Sequence, residues 1–480
     1  MLRFARRRDR RASGQIIVLF VLSLTAIFAM AALLFDGAHA LVLRRQIQNA
    51  GDSAALQAAN LIRNLKGCSA TYVMGSAPGS PRAAITTAAQ TAVQAALPGT
   101  PASAIHVSCP DGIWNNYAVQ VDVDGHSPTF FGGAVGIRGF DVKTTSQAVN
   151  GPVAPAPYSV ILLDNSNSSW PNGRRGCPAA LISGGPTVIF EGSMMIDSAC
   201  TAANGGGLGT NGNSATLTFN NSAVIKIVGG YAPAALTITP TPTTGAAYVK
   251  DPLLGLPAMP STLPVRFASR QVYGGSDVVL EPGVYVGGIQ LKNSVKAFLH
   301  PGVYEFRGGG FDIGAQNAVY SVATGVTTTT EANWATNCPV ASCGVLFYNS
   351  GTTSTMGQVT VGAGATLKLR PYNSTYDGAG ANQPDYNNLL LWQSGTPAPS
   401  NSFEQPVVSL SGGGSVDISG TVYAPGAVVF MTGGSGGSGG GTDLTLQFIC
   451  WDLQIQGNSS FHFFYQNNSF AHPPDYGLIK

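Results

Sequence analysis

Four carboxylates and one arginine in a short stretch are the first residues to weigh: Asp277, Glu281, Glu305 and Asp312, with Arg307 close by. Glycoside hydrolysis needs two carboxyl groups facing each other about 5–9.5 Å apart, and a pair drawn from this set would suit it. Turn acceptors and the surface of a β-rich coil use the same residue types, and that structural reading is the favoured one. Other catalytic spacings are missing: the chain has no H-E-x-x-H and no P-loop. G-x-S-x-G occurs at Ser435 and Ser438, but inside the low-complexity run TGGSGGSGGG (432–441), where no strand-to-helix turn is expected. GGGFDIG (308–314) lies between β-prone runs and not before a helix, which argues against a phosphate cradle. The expectation is a protein that is not an enzyme, with no catalytic, cofactor or metal residues to assign.

One local pattern tests that expectation. The apolar run SVILL (159–163) leads into Asp164-Asn165-Ser166-Asn167-Ser168. Asp-x-Ser-x-Ser after a strand resembles the metal-ion-dependent adhesion motif of von Willebrand factor A domains, where carboxylate and hydroxyl oxygens bind Mg²⁺. The next residues, Trp170-Pro171-Asn172-Gly173, break the helix that such a domain requires there. The favoured reading is a β-corner built from Asp, Asn and Ser.

Seven cysteines stand at 68, 109, 177, 200, 338, 343 and 450. Zinc needs close Cys/His pairs in duplicate. Cys338-x₄-Cys343 is a single pair, and the six histidines are scattered. Disulfides are therefore favoured over a metal, with sequence order suggesting Cys68–Cys109, Cys177–Cys200 and Cys338–Cys343 and leaving Cys450 odd. Order alone does not fix the connectivity.

The elements that must position these residues follow from composition. The chain has 480 residues, only 10% of them charged, with 61 Gly and 30 Pro. The 44% hydrophobic content and net charge of +2 exclude a disordered polyelectrolyte, and the glycines have no collagen period. What remains is a β-rich chain with many turns and a neutral surface. Six arginines fall in residues 1–11 against one acid, Asp9, leaving 19 basic and 22 acidic residues elsewhere. No broad basic face for nucleic acid exists.

Those arginines precede Ile16–Phe35, twenty residues without charge, Pro or Gly. As a helix the run is about 30 Å long, enough to cross a bilayer. The charge asymmetry places the N-terminus in the cytoplasm and the bulk of the chain outside it. A cleaved secretory signal is the alternative, since Ala38-His39-Ala40 weakly mimics a cleavage site. Helical spacing continues over 38–65, a second helix is expected over 83–97, and strands over 104–109, 117–123 and 140–149. Residues 36–150 thus read as a small α+β domain.

Gly14-Gln15, Asp36 and the block Gln46-Ile47-Gln48-Asn49-Ala50-Gly51-Asp52-Ser53-Ala54-Ala55-Leu56 resemble the N-terminal region of TadE/TadG-like Flp (Tad) pilus-assembly proteins. Ser127-Pro128-Thr129-Phe130-Phe131-Gly132 and residues 142–148 are similar to the segment that closes this region. The resemblance covers roughly 10–150. It implies an inner-membrane-anchored envelope protein associated with pilus biogenesis or surface attachment, and it carries over no catalytic residue.

After the Pro-rich linker 151–158 come short β-prone runs punctuated by Gly and Asn. Pro282-Gly283-Val284-Tyr285 recurs nineteen residues later as Pro301-Gly302-Val303-Tyr304, a period that signals a solenoid. If the copies stack in register, Val284 lies over Val303 and Tyr285 over Tyr304, with the valines expected inward. The stretches 416–427 and 456–461 resemble the end of the β-helical module of some bacterial pilus-related and surface proteins, and DPLLGLPAMP (251–260) resembles its Pro-rich interrupting loop.

The expected protein is mainly β: a cytoplasmic tail (1–15), a transmembrane helix (16–35), a TadE/G-like α+β domain (36–150), and a right-handed parallel β-helix over 159–480. Insert loops are expected near 231–265, 371–388 and 432–442, and a β-sandwich is the alternative fold. The expected function is non-enzymatic, in Tad/Flp pilus assembly or surface attachment at the inner membrane. Expected partners are the bilayer, through 16–35, and other envelope or pilus-assembly proteins. Alternatives are a membrane-tethered carbohydrate-binding or carbohydrate-active protein and a metal-dependent adhesin.

Overall fold

The computed structural model describes residues 13–62, 81–110, 117–152, 158–165, 177–212, 214–232, 235–338, 342–352, 356–394, 407–411, 414–433, 442–458, 460–466, 469–471 and 474–479. The chain divides into two compact units, residues 1–151 with 475–480, and residues 152–474.

The first unit begins with helix α1 (Ser13–Ile62), which runs without a break through the apolar segment and on past Gly51. Helix α2 (Pro81–Ala96) and strands β1 (Ile105–Ser108), β2 (Ala118–Pro128) and β3 (Gly139–Pro152) follow. Strands β1 and β2 pair antiparallel, as do β2 and β3. The outer half of α1 lies against α2 and β2. Its inner face is nearly all alanine: Ala50, Ala54, Ala55, Ala58 and Ala59 are buried, flanked by Ile47 and Ile62. Small side chains let helix and sheet approach closely. A Cβ on Gly51 would sit 2.7 Å from Ser146 Oγ.

The fourth strand of this sheet comes from the far end of the chain. Pro474–Leu478 lies next to β3, and Ile479 N–H donates to Gln147 O at 2.9 Å. The expected domain 159–480 is corrected accordingly: its last residues belong to the first unit.

In the second unit every strand-to-strand ladder among the described residues is parallel, and most of the short strands pair with the strand three places along. Three strands make one layer. Layer 265–280 pairs with 283–299, and that with 302–321. The stack continues through 344–371, 389–418, 419–444 and 445–463. Next comes 158–190, because Phe448 pairs with Val160 and Leu453 with Ala180. Layers 193–219 and 225–239 follow, and the two-residue strand Thr243–Thr244 pairs on Lys226–Ile227 beyond the last of them. An antiparallel sandwich does not have these ladders, and that alternative fails.

The chain therefore enters the stack in the middle and builds to one end. It then returns to the opposite end through residues 245–264 and builds back. The end layers are about 43 Å apart at 4.8 Å per layer, and twenty residues reach up to about 66 Å. This strap is shorter than the expected insert of 231–265, since 236–239 and 243–244 are strands. Leu253 and Leu263 on the strap bury a row of outward side chains, including Trp392, Tyr423, Ile449 and Ile161. Those four are consecutive register partners. Asp197 accepts from Val249 N–H at 3.0 Å, Tyr423 Oη donates to Asp251 at 2.7 Å, and Tyr386 Oη to Pro257 O at 2.9 Å, pinning the strap along its length.

Inside the stack, Phe306, Phe311, Phe347, Phe448, Phe463 and Phe190 fill the core. Where first strands turn into second strands, Gly287-Gly288 lies over Gly309-Gly310. A Cβ on Gly288 would meet Gly310 O at 2.2 Å, and one on Gly309 would meet Gly287 O at 2.0 Å. No other residue fits that corner.

Candidate functional site

Where the apolar run of α1 ends, its first charged side chain finds three donors. Asp36 is almost fully buried. Phe130 N–H donates to one carboxylate oxygen at 2.8 Å, while Gly132 N–H, at 2.8 Å, and Phe131 N–H, at 3.2 Å, donate to the other. The donors lie on the β2–β3 connection, a short 3₁₀ turn (Gly132–Val135) closed by Ile137 N–H to Gly132 O and Thr129 N–H to Arg138 O. Burial raises the Asp36 carboxyl pKa. The three N–H groups and the neighbouring His39 lower it by more, so the group is held below its ordinary value. His39 Nδ1 is 3.0 Å from Ser127 Oγ, and its ring packs edge-on to Phe130 at 5.5 Å.

A second polar tie lies four turns further along α1. Gln48 Nε2 and Ser146 Oγ both donate to Asp52 Oδ1, at 2.8 and 2.7 Å. The Gln/Asp/Ala block is thus the face of α1 that grips β3. Asp36 and the Pro-Thr-Phe-Phe segment are two halves of one contact 94–96 residues apart in sequence. Between these ties, Leu43, Ile47, Pro98, Val123, His126 and Lys143 line an open cleft of about 680 Å³.

The candidate carboxylates of the second unit do not face one another as register neighbours. Glu305 lies between Val284 and Tyr348, and Asp312 between Gln290 and Thr360. Glu305 accepts from Arg307 Nη2 at 2.9 Å and Ser350 Oγ at 2.8 Å. Asp312 accepts from Gln290 Nε2 at 2.6 Å and Thr360 Oγ1 at 2.9 Å. Asp277 accepts from Lys296 N–H, and Glu281 is 2.7 Å from His300 Nδ1. Each joins one layer to the next. The backbone of 308–314 is used likewise: Gly308 N–H donates to Ser350 O and Phe311 N–H to Gln358 O.

The strand before Asp164 runs parallel to 448–450 and 193–196 as part of the stack. A von Willebrand factor A fold needs helices covering its sheet. The four-residue Trp334–Asn337 is the only α-helix among the described residues of this unit, so that reading is corrected. Asp164 is buried, whereas Ser166 and Ser168 lie outside the described residues, as do Ser435 and Ser438. Among the described residues no cluster of three His, Cys, Asp or Glu side chains is arranged for a metal ion.

Cys177–Cys200 and Cys338–Cys343 are disulfides, with Cα atoms 5.6 and 5.3 Å apart. Cys109 is disulfide-bonded, and Cys68 lies outside the described residues. Cys450 is a buried free thiol, between Ala424 and Leu162 in one ladder.

Neither a curated protein nor a solved structure matches the chain. The family model of TadE/G-like Flp pilus-assembly proteins matches residues 14–61, which is α1 almost end to end.

Proposed function

We propose that the chain is a single-pass envelope protein that serves Tad/Flp pilus assembly or surface attachment as a non-enzymatic scaffold. The observation that carries this reading is the family match over 14–61, coinciding with the helix whose Asp36 and Asp52 lock it to the first unit's sheet. Its apolar half is solvent-exposed and is long enough to cross a membrane. The arginine cluster supports a cytoplasmic N-terminus at the inner membrane, and the disulfides fit an oxidising compartment beyond it.

In this reading the second unit is a right-handed parallel β-helix, supported by the three-strand layers and their parallel ladders. A stack of this kind is a stiff spacer, and the partnered state of Glu305, Asp312, Asp277 and Glu281 suits scaffolding more than hydrolysis. Deleting the gene in its host should abolish Flp-type pili or surface attachment, and wild-type protein solubilised from membranes should co-purify with pilus-assembly components. Normal pili in the deletion strain, with no such component captured, would overturn the proposal.

A further inference from the structure

The β2–β3 connection exposes apolar side chains at the level where α1 leaves its apolar run. Phe130 is 73% exposed, Phe131 52% and Ile137 43%. The Phe131 ring lies 6.3 Å from Phe35, the last residue of that run. On the other side, Phe130 packs on His39, one helical turn further out. Exposed Arg138 follows Ile137 directly. The three N–H bonds to Asp36 fix this backbone, so the rings are displayed on a held scaffold.

We propose that residues 129–138 are a second membrane contact. Phe130, Phe131 and Ile137 enter the interfacial layer of the leaflet from which α1 emerges, and Arg138 meets lipid phosphate. The inference rests on α1 crossing the bilayer. Twenty apolar residues match the hydrocarbon thickness, so Phe35 marks its edge, and the loop's donors within 2.8 Å of Asp36 lie at the same depth. Aromatic rings are favoured at that boundary, where one edge is apolar and the other wet. The Asp36 charge is tolerated there because backbone dipoles replace water around it. Continuity with the apolar span selects lipid as the occupant. The arginine beside it complements an anionic headgroup, as an acidic protein surface would not require so many exposed rings. A helix held only by its own span tilts and rotates freely, whereas interfacial anchors set its tilt. The loop adds such an anchor on one side of α1 and so orients the first unit over the membrane.

The test uses the full chain in nanodiscs of phosphatidylethanolamine and phosphatidylglycerol, with p-benzoylphenylalanine replacing one residue at a time. Phe28 reports the span and Phe130 the loop. Asn60, an exposed position about 37 Å beyond Phe35 along α1 at 1.5 Å per residue, is the control. Irradiation should add the mass of one phospholipid at 28 and at 130, and none at 60. An adduct at 28 without one at 130 overturns the loop contact and leaves the anchor standing. No adduct at either position overturns the anchor reading and this inference with it. A protein adduct at 130 in place of lipid also overturns the inference, by naming a different occupant.

Discussion

The rings of Tyr285 and Tyr304 stack 6.1 Å apart at 20°, although their backbones are not register partners. Tyr304 lies opposite Gly283, and Tyr285 opposite Phe306. Gly283 has no side chain, so the Tyr304 ring meets Tyr285 instead. Both rings point into the core, and both hydroxyls are satisfied: Tyr285 Oη donates to Glu281 O, and Tyr304 Oη lies 2.7 Å from His300 O and 2.8 Å from Leu280 O.

Replacing Tyr304→Phe removes a fully buried hydroxyl from its carbonyl partners. The loss should be about 1–2 kcal/mol, while Tyr304→Ala, which also empties the stack, should lose about 3–5 kcal/mol. Urea midpoints of the detergent-solubilised chain check both. Equal losses for the two variants would mean that the ring contributes no packing.

The sequence repeat pointed to these two tyrosines but misassigned their register and parity. The period of nineteen holds for the third strands, where Val278 pairs with Ala297. Past the corner the offset grows to 21, because the strand Gly302–Arg307 is two residues longer than Gly283–Val286. The valines expected inward, Val284 and Val303, are indeed buried, but in the outer cluster under the strap. Alternation could not reveal this, since a covered outer face makes both parities apolar.

That strap should be a point of cooperative failure. Leu253 is buried among Trp392, Tyr423 and Ile449, so Leu253→Ala should destabilise the unit by about 2–5 kcal/mol. Limited proteolysis should then cut between 245 and 264 before anywhere else in the stack. Unchanged protection there would show that Leu253 does not hold the strap.

The thiols give a chemical readout. Unfolded without reductant, the chain should take up an alkylating label at Cys450 and none at Cys177, Cys200, Cys338 or Cys343. Folded, Cys450 should stay unlabelled, because burial, with Asp452 nearby, raises its pKa and keeps it a thiol. Mass spectrometry of peptides from envelope-derived protein distinguishes these patterns.

Some long-range features left little trace in local pattern. Asp36 and the Pro-Thr-Phe-Phe segment were recognisable as a family resemblance, yet only the fold shows that one binds the other. PDYGL (474–478) carries little alternation and looked like the tail of the β module, but it lies beside β3. Tyr476 Oη also donates to Leu56 O at 3.2 Å. Truncation after Pro474 should therefore loosen the first unit, 320 or so residues away in sequence, and leave the stack intact. Hydrogen exchange should speed up in β3 and the outer half of α1, with 265–463 unaffected. Faster exchange confined to the second unit would contradict that assignment.

The last prediction concerns pH. Asp197 is 4% exposed. Burial raises its pKa, against the lowering effect of the Val249 N–H, to about 6. A carboxyl whose pKa is higher folded than unfolded binds more protons in the folded state. Its contribution is then fully present below the unfolded value near 3.8 and is lost as pH rises through about 6. Asp197→Asn keeps an oxygen for Val249 N–H but cannot ionise. Between pH 4 and 7 the wild-type chain should therefore lose stability relative to Asp197→Asn, and the variant should be the more stable of the two at pH 7. Urea midpoints at several pH values measure the difference. A constant gap across that range would mean that Asp197 ionises without penalty, the Val249 N–H offsetting its burial in full.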